Sequence, residues 1–77
     1  MIAIDANILL YAYAEVAPEN HAARDFLVEH SSNGNVAISE FTLTELYLLL
    51  RNPAVLKKPL SAAKAVEVIE AYRNHPV

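Results

Sequence analysis

The sequence predicts an α/β fold: a short parallel sheet flanked by helices, with two strands and four helices in this chain. Three observations lead there. Met1 to Ile4 and Val36 to Ile38 are brief, continuous apolar runs, the pattern of strands buried on both faces. Longer stretches between and after them carry apolar residues at spacings of three and four, the mark of helices. The resulting order is strand, helix, helix, strand, helix, helix. Strands joined by helical crossovers pair in parallel.

The elements follow in order. After the first strand, Asp5-Ala6-Asn7 leads into Ile8 to Ala14, an apolar run without alternation. It reads as a short buried helix with Asp5 or Asn7 at its start. Pro18 suits the first turn of a second helix, and Glu19 its positive end. Ala22, Ala23, Phe26, Leu27 and His30 form the inner stripe, with Arg24, Asp25 and Glu29 opposite. Asn33-Gly34 ends this helix, the glycine supplying a left-handed residue. After the second strand, Ser39 caps a third helix running to about Arg51, and Asn52-Pro53 stops it. Ala54 to Pro59 is a loop. Ser61 caps a fourth helix, with Ala62, Ala65, Val66, Ile69 and Tyr72 inward, and His75-Pro76 closes it.

At 77 residues the chain is at most one small domain. Strands of three or four residues make a poor two-stranded sheet. We therefore expect a piece of a larger domain, or a core completed by a second copy, and so a homo-oligomer. The composition is 55% hydrophobic, above the roughly 45–50% of ordinary soluble domains. The absence of cysteine excludes disulfides, thiolate metal sites and cysteine nucleophiles, and fits a reducing, cytoplasmic setting. The apolar runs are too short for a signal peptide or membrane span, so a soluble protein is expected. A net charge of −3 argues against nucleic-acid binding by a basic surface alone. It leaves room for an enzyme that gathers carboxylates around a cation.

Asp5 is the sharpest chemical signal. It lies at the carboxyl end of the first strand, where open α/β folds place their sites, and at a helix N-terminus. A plain N-cap explains it equally well. Asn7 is open to three roles: capping the same helix, orienting Asp5, or lending an oxygen to a hydrated cation. Glu45 is the second signal. Its helical neighbours are Phe41, Thr42, Leu48 and Leu49, and a carboxylate on so apolar a face needs a partner or a metal. The competing reading is a capping box, Thr42-Leu43-Thr44-Glu45, which requires the helix to begin at Thr42. Thr44 and Ser39 are hydroxyls that either support the site or serve their own helix. Arg51, Lys57 and Lys58 either meet an RNA backbone or form a solvated loop. His21, His30 and His75 have no metal-ligand spacing and receive no catalytic role.

The opening Ile4-Asp5-Ala6-Asn7 with Ile8-Leu9-Leu10-Tyr11-Ala12 resembles the start of PIN domains. The segment Ile38-Ser39-Glu40-Phe41-Thr42-Leu43-Thr44-Glu45-Leu46 resembles that family's second acidic motif. Leu50-Arg51-Asn52-Pro53-Ala54-Val55 followed by Pro59-Leu60-Ser61 is similar to a VapC-type toxin subgroup. The resemblance identifies residues 1–77 as the N-terminal part of a PIN-like domain. It implies a Mg²⁺- or Mn²⁺-dependent endoribonuclease acting on single-stranded RNA. Asp5 and Glu45 would then be metal ligands and catalytic residues. Asn7, Ser39 and Thr44 would orient them, and Arg51, Lys57 and Lys58 would contact RNA. The implied partners are RNA, a VapB-like antitoxin and a second copy. The family continues with further strands, another helix and additional site aspartates beyond this stretch. The alternative is a non-catalytic PIN remnant that dimerises or binds an antitoxin. The nuclease reading expects Asp5 and Glu45 to converge.

Overall fold

The fold rests on helices gathered beside one short strand pairing. A computed structural model describes residues 2–31 and 36–74. In order these form β1 (Ile2–Ala3), α1 (Ala6–Tyr13), α2 (Asn20–Ser31), β2 (Val36–Ala37), α3 (Glu40–Leu50) and α4 (Ala62–Asn74). Met1, the expected helix end at Asn33-Gly34 and the expected stop at His75-Pro76 lie outside the described residues.

β1 and β2 pair in parallel, Ile2 beside Val36 and Ala3 beside Ala37. Among the described residues this two-residue ladder is all there is of the expected sheet. It nonetheless fixes a register. Asp5 follows the carboxyl end of β1 by two residues and Ser39 follows that of β2 by the same number.

The core lies mainly between α1 and α3. Leu9, Leu46 and Leu50 are fully buried, joined by Ile4, Leu10, Ala12 and Leu43. Burying one such leucine stabilises the fold by about 1.5–3 kcal/mol. α1 packs against both α2 and α3, and α3 also packs against α4. α1 is apolar nearly all round because it is flanked on both sides. α2 contributes Ala23 and Leu27, and α4 contributes Ala65 and Ile69. The molecule is a flat body of 34 × 25 × 15 Å.

Several boundaries and faces differ from expectation. α2 begins at Asn20, so Pro18 falls in the preceding turn. Glu19 instead offers the first accepting carbonyl, to the amide of Ala23 at 2.9 Å. α1 begins at Ala6, so of the two expected starts it is Asp5 and not Asn7 that caps it. Ala22, Ala62 and Val66 point to solvent, because the buried stripes are narrower than their spacing allowed. On α4 the inward line is Ala65 and Ile69, with Val68 and Tyr72 half-buried beside it.

Two polar ties reach into α1. The Asn20 side-chain amide donates to the carbonyls of Tyr11 at 2.7 Å and Ala12 at 3.1 Å. Carbonyls in the last turn of a helix have no partner within it, so Asn20 supplies one from the next element. The Tyr72 hydroxyl donates to the Leu9 carbonyl at 2.9 Å, linking α4 to α1. Burial pushes the Tyr72 phenol above its usual pKa, only partly offset by the positive charge of Arg24.

Candidate functional site

Asp5 is the N-cap of α1. Its Oδ1 accepts the Asn7 backbone N–H at 3.0 Å, and its own carbonyl accepts from Ile8 at 3.1 Å. Capping consumes one carboxylate oxygen and leaves Oδ2 without a partner among the described residues. The side chain is exposed. The two readings of Asp5 are therefore compatible: a cap on one side, an open anionic oxygen on the other. Asn7 orients Asp5 through its main chain, while its side chain is exposed inside the helix.

Ser39 is the N-cap of α3. Its Oγ accepts the Thr42 N–H at 3.1 Å and donates to Thr42 Oγ1 at 3.0 Å. That settles the start of α3 and removes the capping-box explanation of Glu45, which lies well inside the helix. Thr44 is exposed, and its hydroxyl donates to the Glu40 carbonyl at 3.0 Å, back along its own helix.

Glu45 corrects the desolvation argument. Its neighbours do not bury it: Phe41 is 72% and Leu48 63% exposed. The inward face of α3 is Leu43, Leu46 and Leu50, and Glu45 projects from the opposite side. Its carboxylate is exposed, with no hydrogen-bond or ion-pair partner among the described residues. A stripe of Phe41, Glu45 and Leu48 thus faces solvent with a free anion in its middle.

Glu40 behaves differently. Arg73, near the end of α4, grips both its oxygens, Nε to Oε2 at 3.0 Å and Nη2 to Oε1 at 2.6 Å. Arg73 Nη1 also holds Glu70 on its own helix. The Arg73 guanidinium lowers the Glu40 carboxyl below its usual range, and its hydrogen bonds to Glu40 and Glu70 raise its own pKa. Neither Glu40 nor Arg73 carried a functional signal in the sequence, because they lie 33 residues apart. An open groove of about 260 Å³ between α3 and α4 borders this network, lined by Leu43, Thr44, Tyr47, Val66 and Ile69 together with Glu70 and Arg73.

The cationic residues lie at the far end of α3. Arg51 ends that helix with its guanidinium 5.9 Å from the Tyr47 ring centroid and donates to the Tyr47 hydroxyl at 3.3 Å. The following loop closes back on α3 through the Leu60 N–H and Leu50 carbonyl at 2.9 Å. Lys57 and Lys58 are exposed on it. An 11-residue helix is about 16 Å long, so Ser39 and this basic loop are a helix length apart. His21 pairs with Asp25 at 3.2 Å on the surface, and the His30 ring rests 4.3 Å from Phe26. Neither approaches a metal-ligand arrangement, and His75 lies outside the described residues.

No three His, Asp or Glu side chains gather into a metal cage among the described residues. The donors on offer are hard oxygens, Asp5 Oδ2 and the Glu45 carboxylate. Mg²⁺ is ordinarily held through one or two carboxylates and retains several waters. Oxygen donors of this kind are the ones such an ion takes.

Residues 2–77 match the PIN domain family. Ribonuclease VapC24 of Mycobacterium tuberculosis strain CDC 1551 / Oshkosh is 48% identical over 75 residues, covering 97% of this chain and 52% of its own length. Ribonuclease VapC24 of strain ATCC 25618 / H37Rv matches to the same extent. The chain spans about half the length of the curated relatives it matches.

Proposed function

This chain belongs to the PIN-domain family and is of the VapC type, and we propose that it serves divalent-cation-dependent cleavage of single-stranded RNA. The observation that carries the reading is the strand register. It pairs Ile2 with Val36 and Ala3 with Ala37, so Asp5 and Ser39 both follow the carboxyl ends of two parallel strands, the edge where α/β folds collect ligands.

In this reading Asp5 Oδ2 and the Glu45 carboxylate hold Mg²⁺ or Mn²⁺. A bound ion of this kind lowers the pKa of a coordinated water and neutralises charge on the phosphate under attack. The chain's own residues do the rest. The Asn7 N–H fixes one oxygen of Asp5 and so aims the other. Ser39 and Thr42 lock the first turn of α3, which sets where Glu45 emerges. Arg51, Lys57 and Lys58 meet the RNA backbone at the far end of α3, so a strand touching both regions runs along that helix past Glu45. A VapB-like antitoxin and a second copy of the chain are the protein partners that accompany this reading. No helix among the described residues is long and apolar enough to cross a membrane.

The test is a cation titration. Mn²⁺ should raise the melting temperature, by linkage to the folded state. Asp5→Asn should abolish that rise while leaving the metal-free melting temperature nearly unchanged, because asparagine caps a helix as well as aspartate does. Manganese-dependent cleavage of single-stranded RNA should vanish with the same substitution. A second reading, a non-catalytic interaction module, draws on the exposure of Phe41 and Leu48. It predicts a concentration-dependent melting temperature indifferent to Mn²⁺.

A further inference from the structure

Two glutamates lie on α3, and they are treated unlike. Glu45 is free, whereas Glu40 is held on both oxygens by a residue from the far end of the chain. Glu40 directly follows Ser39, which stands two residues past β2 as Asp5 stands two residues past the parallel β1. The grip on Glu40 therefore acts on the turn of α3 that lies beside the proposed cation site.

We propose that Arg73 is a positioning residue for that site: by clasping Glu40 it fixes the first turn of α3, and through it the direction from which Glu45 answers Asp5. The inference rests on the cation-binding reading above.

The geometry favours this role. α3 and α4 pack together, and the buried residues that α4 contributes are Ala65 and Ile69, one small and one medium-sized. Such a contact restrains tilt weakly. A guanidinium donating from two nitrogens to two carboxylate oxygens restrains both distance and angle, as a single-point contact does not. Arg73 is itself steadied by Glu70 one turn away and by Tyr72, whose hydroxyl is tied to the Leu9 carbonyl of α1. α1 carries Asp5 at its start, and α3 carries Glu45. The Tyr72–Arg73 pair thus links the two helices that bear the proposed ligands. An exposed ion pair adds little to stability on average, so its value lies in orientation.

The experiment measures Mn²⁺ binding to the 77-residue chain by calorimetry, well below the melting temperature. Arg73→Gln and Glu40→Gln should each weaken Mn²⁺ binding about tenfold, the lower end for residues that orient ligands from outside. The double variant should be no weaker than either single one. Arg73→Lys should recover only part of the loss, and Glu70→Gln, which removes one support of Arg73 but leaves its grip on Glu40, should weaken affinity less than Arg73→Gln does. Melting temperatures of all variants, taken without metal, separate loss of fold from loss of positioning. If Arg73→Gln lowers the melting temperature yet leaves the Mn²⁺ affinity intact, the tether is structural and the proposal falls. If Asp5→Asn fails to alter Mn²⁺ binding in the unsubstituted chain, the cation site itself falls, and the role of Arg73 with it. Loss of binding in Asp5→Asn beside unchanged binding in Arg73→Gln overturns the assignment of Arg73 alone.

Discussion

The seam between α1 and α3 and the attachment of α4 are built on different physics. The seam buries Leu9, Leu10, Leu43, Leu46 and Leu50 between two helices and holds by exclusion of water. α4 buries only Ala65 and Ile69 and adds directional bonds, Tyr72 to the Leu9 carbonyl and Arg73 to Glu40. Apolar burial makes a fold stable but tolerates small rotations. Directional bonds add less stability and fix orientation more closely. The proposed ligands sit on the two seam helices, and the bonds that orient those helices come from α4.

That contrast can be broken most forcefully at Leu46. It is fully buried on α3, and Leu46→Ala should cost about 2–5 kcal/mol, enough to unfold much of so small a domain. Urea denaturation would read this as a lower midpoint. Ser39→Ala removes the cap that sets the start of α3 and should cost about 0.5–2 kcal/mol by the same measurement. Tyr72→Phe loses one hydrogen bond from α4 to α1, at about 0.5–1.5 kcal/mol.

Tyr72 also gives the contrast a pH signature. Its pKa is raised in the fold above the ordinary 10.0. The stability linked to it is fully present below about pH 10 and is lost as pH rises through the raised value. Thermal melts between pH 9 and 11 should show this fall in the parent chain and a smaller one in Tyr72→Phe. The smallest effect belongs to Glu40. Its pKa is depressed from 4.5, so its contribution is present above that value and lost as pH falls through the depressed one. Acid melts of Glu40→Gln should be flatter over that range.

Much of this architecture was legible from residue order. Four helices, their caps at Ser39 and Ser61, and the strand-tip position of Asp5 follow from local chemistry, in which a side-chain oxygen meets an amide two or three residues on. What spacing cannot resolve is which of two adjacent stripes faces inward. On α3 both Leu43–Leu46–Leu50 and Phe41–Glu45–Leu48 have helical spacing, and packing against α1 selects the first. Glu45 was accordingly expected on an apolar, buried face and stands in water. Contacts between distant residues were equally out of reach. Arg73 and Glu40 each read as ordinary helix-surface charge until the fold brings them together. Asn20 gave no hint that its amide would finish the preceding helix.

The fully buried side chains are few: Leu9, Leu46 and Leu50, all at the contact of α1 with α3. Away from them the elements are largely exposed, and their amides are a local opening away from solvent. Deuterium should therefore enter there first, sparing longest the amides around Leu46 to Leu50, where the two apolar helices shield each other.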